Sequence, residues 1–321
     1  MSNYPFYLVQ HKREGQAADK ALLADRPFSN IDRSFQADAR RFVPGDELET
    51  AVNTAIALGE PLLITGEPGT GKTQTAYYVA YKLGIEPVIH FQVKSDTAAR
   101  DILYHFDTVH YFHDAHLMTP EKGDNTPANL DKRKYVEPRA LWEAFESARQ
   151  TGMPRIVLID EIDKAPRDFP NDLLHELDKM EFTVKETGET VSAPRNLRPI
   201  VFITSNSERR LPEAFLRRCV YHHISFDEKI IEQAVAARSG DFQSIGKGFV
   251  KIALQRFLAL RQRSLRKQPS TGEFLVWLRV LAVAADTYPK KLDEDLSRLP
   301  YIGVLLKDHQ DIQELGGRTV S

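Results

Sequence analysis

A chain of 321 residues, 42 % of them hydrophobic, is long enough for two domains, or for one large domain with a smaller attachment, built around packed cores. Its formal net charge of −2 gives no case for a surface adapted to nucleic acid or to anionic membrane, and its single cysteine, Cys219, excludes an internal disulfide framework and a cysteine metal cluster. The start of the chain shows no basic-then-apolar leader and no apolar run approaches membrane-spanning length, so a soluble, cytoplasmic protein without a membrane partner is expected.

Residues 1–40 form an N-terminal extension to which no chemistry is assigned. Residues 7–9 have the pattern of a short strand and 16–24 that of a short helix, while Phe28 and Phe35 are apolar enough to pack on the main body. From Phe42 the pattern becomes regular. Phe42-Val43-Pro44-Gly45 reads as a turn, Asp46 stands where it can cap a helix running to about residue 58, and Gly59 closes that helix. Pro61 then opens a strand through Leu62-Leu63-Ile64.

The next residues, Gly66-Glu67-Pro68-Gly69-Thr70-Gly71-Lys72-Thr73, match G-x-x-x-x-G-K-[ST], and a helix over 73–83 follows. Strand, glycine-rich loop and helix are the context this phosphate-binding loop requires. Its glycines let backbone N–H groups turn inward around phosphate oxygens, and the helix N-terminus adds partial positive charge there. Lys72 supplies a full charge for the β- and γ-phosphates, Thr73 a hydroxyl for Mg²⁺, and Gln74 extends the same cofactor-binding stretch.

Further strands are expected over 87–93, 155–160, 199–204 and 220–224, with helices over 138–150 and 171–180 between them. In the helix 138–150, Leu141, Trp142, Phe145 and Ala148 share one face. Strands alternating with helices imply a parallel sheet covered on both faces, an α/β fold. Residues 119–134 are polar, with Pro120, Gly123 and Pro127, and read as a loop. After Phe226 the strand signal stops. Helices are expected over 227–238, 249–263 and 272–285, with a last segment near Leu292. Ser270 and Glu273 are spaced as a capping box, and a frayed tail begins at Gly316-Gly317.

Two carboxylates end the strand 155–160. Asp160 stands where it can hold the water shell of Mg²⁺ opposite Thr73, and Glu161, one residue on, where it can orient and deprotonate an attacking water. The strand 199–204 ends in Thr204-Ser205-Asn206, which brings the Asn206 side chain toward the γ-phosphate and the water. Arg217 and Arg218 close the stretch Leu211 to Arg218. They point away from the nucleotide of their own subunit but can reach that of a neighbour, as an arginine finger does.

GEPGTGKT, IVLIDEID, ITSN and LPEAFLRRC, in this order and spacing, resemble the AAA+ ATPases from about residue 42 to 288, as Walker A, Walker B, sensor 1 and arginine finger. The resemblance implies a P-loop AAA+ core with a five-stranded parallel sheet over 41–226 and an all-helical lid over 227–321. It gives ATP and Mg²⁺ as cofactors and Lys72, Glu161, Asn206, Arg218 and Arg217 as catalytic residues, Arg218 being the better match to the finger. Two insertions are similar to those of the MoxR-type group: 94–118, like its helix-2 insert, and a β-hairpin over 182–193 turning at Gly188 before sensor 1. In that group both elements line the pore of a ring and touch substrate. The resemblance therefore implies a homo-oligomeric ring, a hexamer, that remodels a protein partner in a chaperone-like role. A von Willebrand factor A-domain protein is the partner class implied. Where the family often carries a sensor-2 arginine, this chain has Pro269-Ser270-Thr271-Gly272, with Arg266 and Arg279 as the substitutes to consider.

Two other readings stay compatible with the same core. One is a nucleic-acid motor, against which the charge and the lack of an appended DNA-binding motif count. The other is a slowly hydrolysing, nucleotide-gated scaffold in a defence or signalling complex. Elsewhere, His105, His110, His113 and His116 fit no zinc spacing, Arg261, Arg263, Arg266 and Lys267 read as a solvated helix end with a partner-binding patch as the alternative, and Trp142 and Trp277 read as core.

Overall fold

The computed structural model describes residues 34–117, 130–284, 292 and 295–316. The strand expected over 7–9, the helix over 16–24, Phe28, the loop 119–129 and the tail from Gly317 lie outside the described residues. Two compact units form. One is Pro44–Gly66 with Lys72–Ser225; the other gathers the described residues up to Val43, the loop Glu67–Gly71, and those from Phe226 onward.

The first unit opens with helix α1 (Asp46–Leu58). Leu48, Val52 and Ala55 recur at helical spacing and are buried, while Asp46, Glu47 and Glu49 place negative charge in the first turn, where the helix dipole favours it. Gly45, not Asp46, occupies the N-cap, so Asp46 is the first helical residue instead of the cap. Gly59 closes the helix with φ 69°, donating its N–H to the Ala55 carbonyl. The chain continues through β1 (Leu62–Gly66), α2 (Lys72–Leu83) and β2 (Ile89–Gln92). A connection follows that carries β3 (Tyr104–Phe106), α3 (Thr108–Leu117) and β4 (Val136–Pro138). Then come α4 (Ala140–Thr151), β5 (Ile156–Asp160), the hairpin β6 (Glu181–Thr183) and β7 (Thr190–Ser192), β8 (Ile200–Ser205) and β9 (Val220–Ile224).

The main sheet has five strands in the order β2-β5-β8-β1-β9, every neighbouring pair parallel. Residues of β1 and β5 are buried throughout, as continuous apolar runs must be when helices cover both faces. Register aligns the ends that matter: Gln92 lies opposite Asp160, Ile159 opposite Ile203, and Thr65 opposite Ser205. Gly66, Asp160 and Ser205 thus end adjacent strands on the carboxyl edge of the sheet, where open α/β sheets bind ligands.

Pro138, expected to begin the helix 138–150, instead ends β4, which pairs antiparallel with β3, Tyr104 opposite Pro138, and Arg139 is the N-cap of α4. The described residues of the insertion after β2 thus carry a two-stranded sheet and a helix. The hairpin forms as expected, with Phe182 opposite Val191 and Gly188 at φ 73°. Its inner side chains belong to the core: Phe182 stacks on Tyr104 at 6.2 Å and meets Trp142 edge-on. The helix expected over 171–180 is two short helices, Phe169–Asp172 and Leu174–Lys179, with Leu173 between them and Met180 left-handed at φ 50°.

The second unit is helical: α5 (Glu228–Ala237), α6 (Gly246–Arg261), α7 (Thr271–Val283) and α8 (His309–Leu315). Asp227 caps α5, and Ser270 and Glu273 form the expected capping box on α7, Ser270 N–H donating to Glu273 Oε2 at 2.8 Å. Phe257 and Phe274 stack at 4.4 Å in its core, and Trp277 is fully buried with Nε1 donating to the Pro300 carbonyl. The segment near Leu292 falls largely outside the described residues. Leu292 itself is buried, and the helix found beyond it is α8, too short to stand out in the sequence. Arg41 ties the stretch before α1 to this unit through Asp241 at 3.0 Å, and Phe35 is 43 % exposed. Among the described residues, no helix is long and apolar enough to cross a membrane.

Candidate functional site

The loop between β1 and α2 is shaped by glycines where other residues would not fit. Gly69 has φ 76°, and a Cβ there would lie 2.5 Å from Ser270 Oγ. Gly71 has φ 97°, and a Cβ there would meet the Phe42 ring at 2.6 Å. The loop is braced within itself by Thr70, whose hydroxyl donates to the Glu67 carbonyl at 2.8 Å across Pro68. Lys72 is only 6 % exposed, its ammonium donating to the Gly66 carbonyl at 2.8 Å, and Gln74 is buried on the inner side of α2.

Thr73 and Asp160 meet as expected, Thr73 Oγ1 donating to Asp160 Oδ1 at 2.9 Å. Thr204 donates to the same oxygen at 2.6 Å, and His90 Nε2 lies 3.3 Å from Oδ2. Burial works against charge on Asp160. Even so, hydrogen bonds from His90, Thr204 and Thr73 hold its carboxyl below the usual range, so it is a carboxylate at neutral pH. A hydroxyl beside a carboxylate, both oxygen donors, is a set suited to a hard divalent ion, so Thr73 and Asp160 fit Mg²⁺.

Glu161 sits at φ 61°, ψ 52°, a left-handed conformation that a residue with a Cβ rarely adopts and that clusters at functional positions. Its N–H is taken by Thr204 Oγ1 at 2.8 Å. Its carboxylate accepts from Asn206 Nδ2 at 3.1 Å, from Gln92 Nε2 at 2.7 Å and from Lys164. Asp163, 3 % exposed, fixes the loop bearing Asn206 by accepting from the N–H groups of Asn206 and Glu208 at 3.1 and 2.9 Å. Asp160, Glu161 and Asn206 are the residues the motifs point to; His90, Gln92, Thr204, Asp163 and Lys164 join them only in the fold. Thr204 and Asp163 stand inside the quoted motifs, and polar side chains on β2, otherwise an apolar strand, were the remaining signal.

Arg217 and Arg218 stand apart from this group. Arg218 Nε donates to Asp178 at 2.6 Å and Nη1 to the Ala214 carbonyl at 3.0 Å, while Arg217, 81 % exposed, lies 3.7 Å from Glu213. In the helical unit, the substitutes considered for a sensor-2 arginine are engaged elsewhere: Arg266 with Glu314 at 2.9 Å and Asp311 at 3.6 Å, Arg279 with Asp241 at 3.0 Å. Gly272 presents its backbone instead, its N–H donating to the Gly69 carbonyl at 3.2 Å. Arg261 is not a solvated helix end. It is 11 % exposed, lies 3.7 Å over the Phe226 ring, and bonds Glu67 of the loop at 3.1 Å. His110 and His113 of α3 pair with Asp107, just before that helix, and Asp114 within it. Cys219 is packed against the sheet core, and burial, with Glu60 and Asp178 nearby, pushes its thiol up to about 12.

Residues 61–219 match the family model of the AAA domain, dynein-related subfamily. Among solved structures, NtrX from Brucella abortus with ADP is similar over 88 % of this chain and 57 % of its own, at 14 % identity and a TM-score of 0.50. The same protein with ATP gives 83 %, 58 %, 17 % and 0.42. A provisionally named ATPase from Cytophaga hutchinsonii gives 89 %, 93 %, 14 % and 0.39. This chain thus spans little more than half of NtrX. The likeness at 0.50 bears on the fold and, at 14 % identity, on nothing else.

Proposed function

We propose that this chain, which carries an AAA+ ATPase core, assembles into a MoxR-type ring and couples Mg²⁺-dependent ATP hydrolysis to the remodelling of a protein partner. The observation that carries the reading is the convergence of Thr73 on Asp160 and of Asn206 on Glu161 at the ends of neighbouring strands. That arrangement supports a division of labour between the two carboxylates. Lys72 and the loop amides hold the phosphates, and Thr73 with Asp160 would hold Mg²⁺, which neutralises phosphate charge when bound. Glu161, aimed by Asn206 and Gln92, takes the proton of the attacking water. Arg218, with Arg217 beside it, completes the site of the next subunit.

The described residues of the insertion after β2, which carry β3, α3 and β4, and the hairpin whose Phe182 stacks on Tyr104 support the MoxR-type reading, because that group carries an insertion and a hairpin at these two places. A hexamer, a cytoplasmic setting and a von Willebrand factor A-domain partner complete the proposal. The test is to purify Glu161→Gln with ATP and Mg²⁺ and measure turnover, mass and co-purifying protein. ATP retained without turnover, in a ring-sized particle with a bound protein, is expected. A monomer that binds ATP and turns over normally overturns the reading.

A further inference from the structure

Thr73 and Tyr77 stand four residues apart on α2, one turn along the same face. Thr73 reaches Asp160 directly. Tyr77 reaches it through His90: Tyr77 Oη lies 3.0 Å from His90 Nδ1, and His90 Nε2 lies 3.3 Å from Asp160 Oδ2. We propose that His90, held by Tyr77, is a positioning residue that orients the Asp160 carboxylate toward the divalent cation. This rests on the ATPase reading of the site and adds to it residues that no motif contains.

With the imidazole neutral, the hydrogen-bond chemistry permits one direction. Asp160 as a carboxylate only accepts, so His90 Nε2 must carry a proton and donate. In the neutral ring Nδ1 is then an acceptor, which requires the Tyr77 hydroxyl to be its donor. In that tautomer the donors run in one line, from Tyr77 to His90 to Asp160. The Tyr77 ring stands edge-on to the imidazole, centroids 6.1 Å apart at 73°, which limits rotation about the ring axis. Strand pairing sets the reach: His90 lies opposite Leu158 on the neighbouring strand, one side-chain repeat before Asp160.

The two oxygens of Asp160 are thereby divided. Oδ1 faces the hydroxyls of Thr73 and Thr204, and Oδ2 is pinned by His90. Without His90 the carboxylate keeps partners on one oxygen and can turn about its Cβ–Cγ bond. Outer partners of a metal-binding side chain commonly contribute about 10- to 100-fold in metal affinity.

The experiment titrates a fluorescent ADP analogue in EDTA, then Mn²⁺ into the nucleotide-bound protein followed by paramagnetic resonance. His90→Ala is expected to bind the analogue in EDTA within about twofold of wild type and to weaken Mn²⁺ roughly tenfold or more. His90→Gln, which keeps a donor N–H, should recover part of that loss, and Tyr77→Phe should weaken Mn²⁺ less than His90→Ala. An unchanged Mn²⁺ affinity in folded His90→Ala overturns the proposal. If that variant does not fold, Tyr77→Phe with wild-type Mn²⁺ affinity overturns it instead. Loss of adenine-nucleotide binding by the wild-type protein would end the ATPase reading itself, an outcome separate from these.

Discussion

Asn206 Nδ2 donates to Glu161 Oε1 at 3.1 Å, while Gln92 Nε2 holds Oε2 of the same carboxylate at 2.7 Å from the opposite strand neighbour. In the proposed function, both donors contact the carboxylate that would take a proton from water, and neither contacts the loop Glu67–Gly71 that would hold phosphate. Asn206→Ala should therefore lower kcat by about 10²-fold, the scale of losing one oriented donor in an active site, and leave nucleotide affinity nearly unchanged. Gln92→Ala should act in the same direction. Steady-state turnover beside equilibrium binding of a fluorescent ATP analogue checks this. A rise in dissociation constant with unchanged kcat would place Asn206 in binding instead.

Gly69 and Gly59 have nearly the same backbone angle, φ 76° and φ 69°, but opposite surroundings. Around Gly59 nothing lies within 4 Å of a Cβ, whereas at Gly69 the Cβ would strike Ser270. Gly59→Ala should cost about 1 kcal/mol of stability from backbone strain alone and leave nucleotide binding intact. Gly69→Ala should in addition displace the loop amides and weaken nucleotide binding more than tenfold. Thermal melts paired with nucleotide titration separate the two variants.

The contrast also shows what the sequence makes legible. Fully buried strands such as Leu62–Gly66 and Ile156–Asp160 announce themselves as apolar runs, and the loop motif dictates local geometry, so the meeting of Thr73 with Asp160 could be foreseen. His90 and Gln92 could not be placed, because their reach depends on the register of β2 against β5, a pairing across some 70 residues that no local pattern encodes. Arg261 misled for a related reason. At the end of an amphipathic helix it looks solvated, yet Glu67, 194 residues away, and the Phe226 ring enclose it. Gly45 displaced Asp46 from the cap because the helix begins one residue earlier than the acidic side chain suggests.

Arg261 yields its own prediction. Its guanidinium is stacked on Phe226, bonded to Glu67 and bonded to the Pro269 carbonyl, so truncation removes packing as well as charge. Arg261→Ala should destabilise the protein by roughly 1–2 kcal/mol, most of it from the lost ring stacking and carbonyl bond because Glu67 is half exposed, and Arg261→Lys should not restore it, since an ammonium lacks the planar fork that serves both partners. Urea unfolding of the two variants decides the matter.

The Cys219 thiol, ordinarily near 9, is pushed up to about 12 by burial and by the negative charges of Glu60 and Asp178. Because the folded value is the higher, the protonated thiol's contribution to stability is full below pH 9 and is lost as pH rises toward 12. Alkylation with iodoacetamide at pH 9 should be on the order of hundreds of times slower in the folded protein than in urea, since the thiolate is the reacting form. Rates alike in both states would mean the thiol is neither shielded nor shifted.

Arg218 is oriented by Asp178 and Ala214, none of them part of the Glu161 group, and Arg217 is held only loosely by Glu213. If Arg218 serves the neighbouring site, Arg218→Ala should lower turnover by roughly 10³- to 10⁵-fold, as Glu161→Gln should abolish it. Mixing the two inactive proteins then gives a decisive result. In a head-to-tail ring, a site with intact Glu161 from the arginine variant can face an intact Arg218 from the glutamate variant. At equal proportions about a quarter of sites should be whole, and activity should reappear to that extent. An arginine acting within its own subunit leaves no whole site in any mixture, so activity would stay absent. Arg217→Ala tested in the same way distinguishes the two neighbours: whichever arginine complements Glu161→Gln is the one that reaches across.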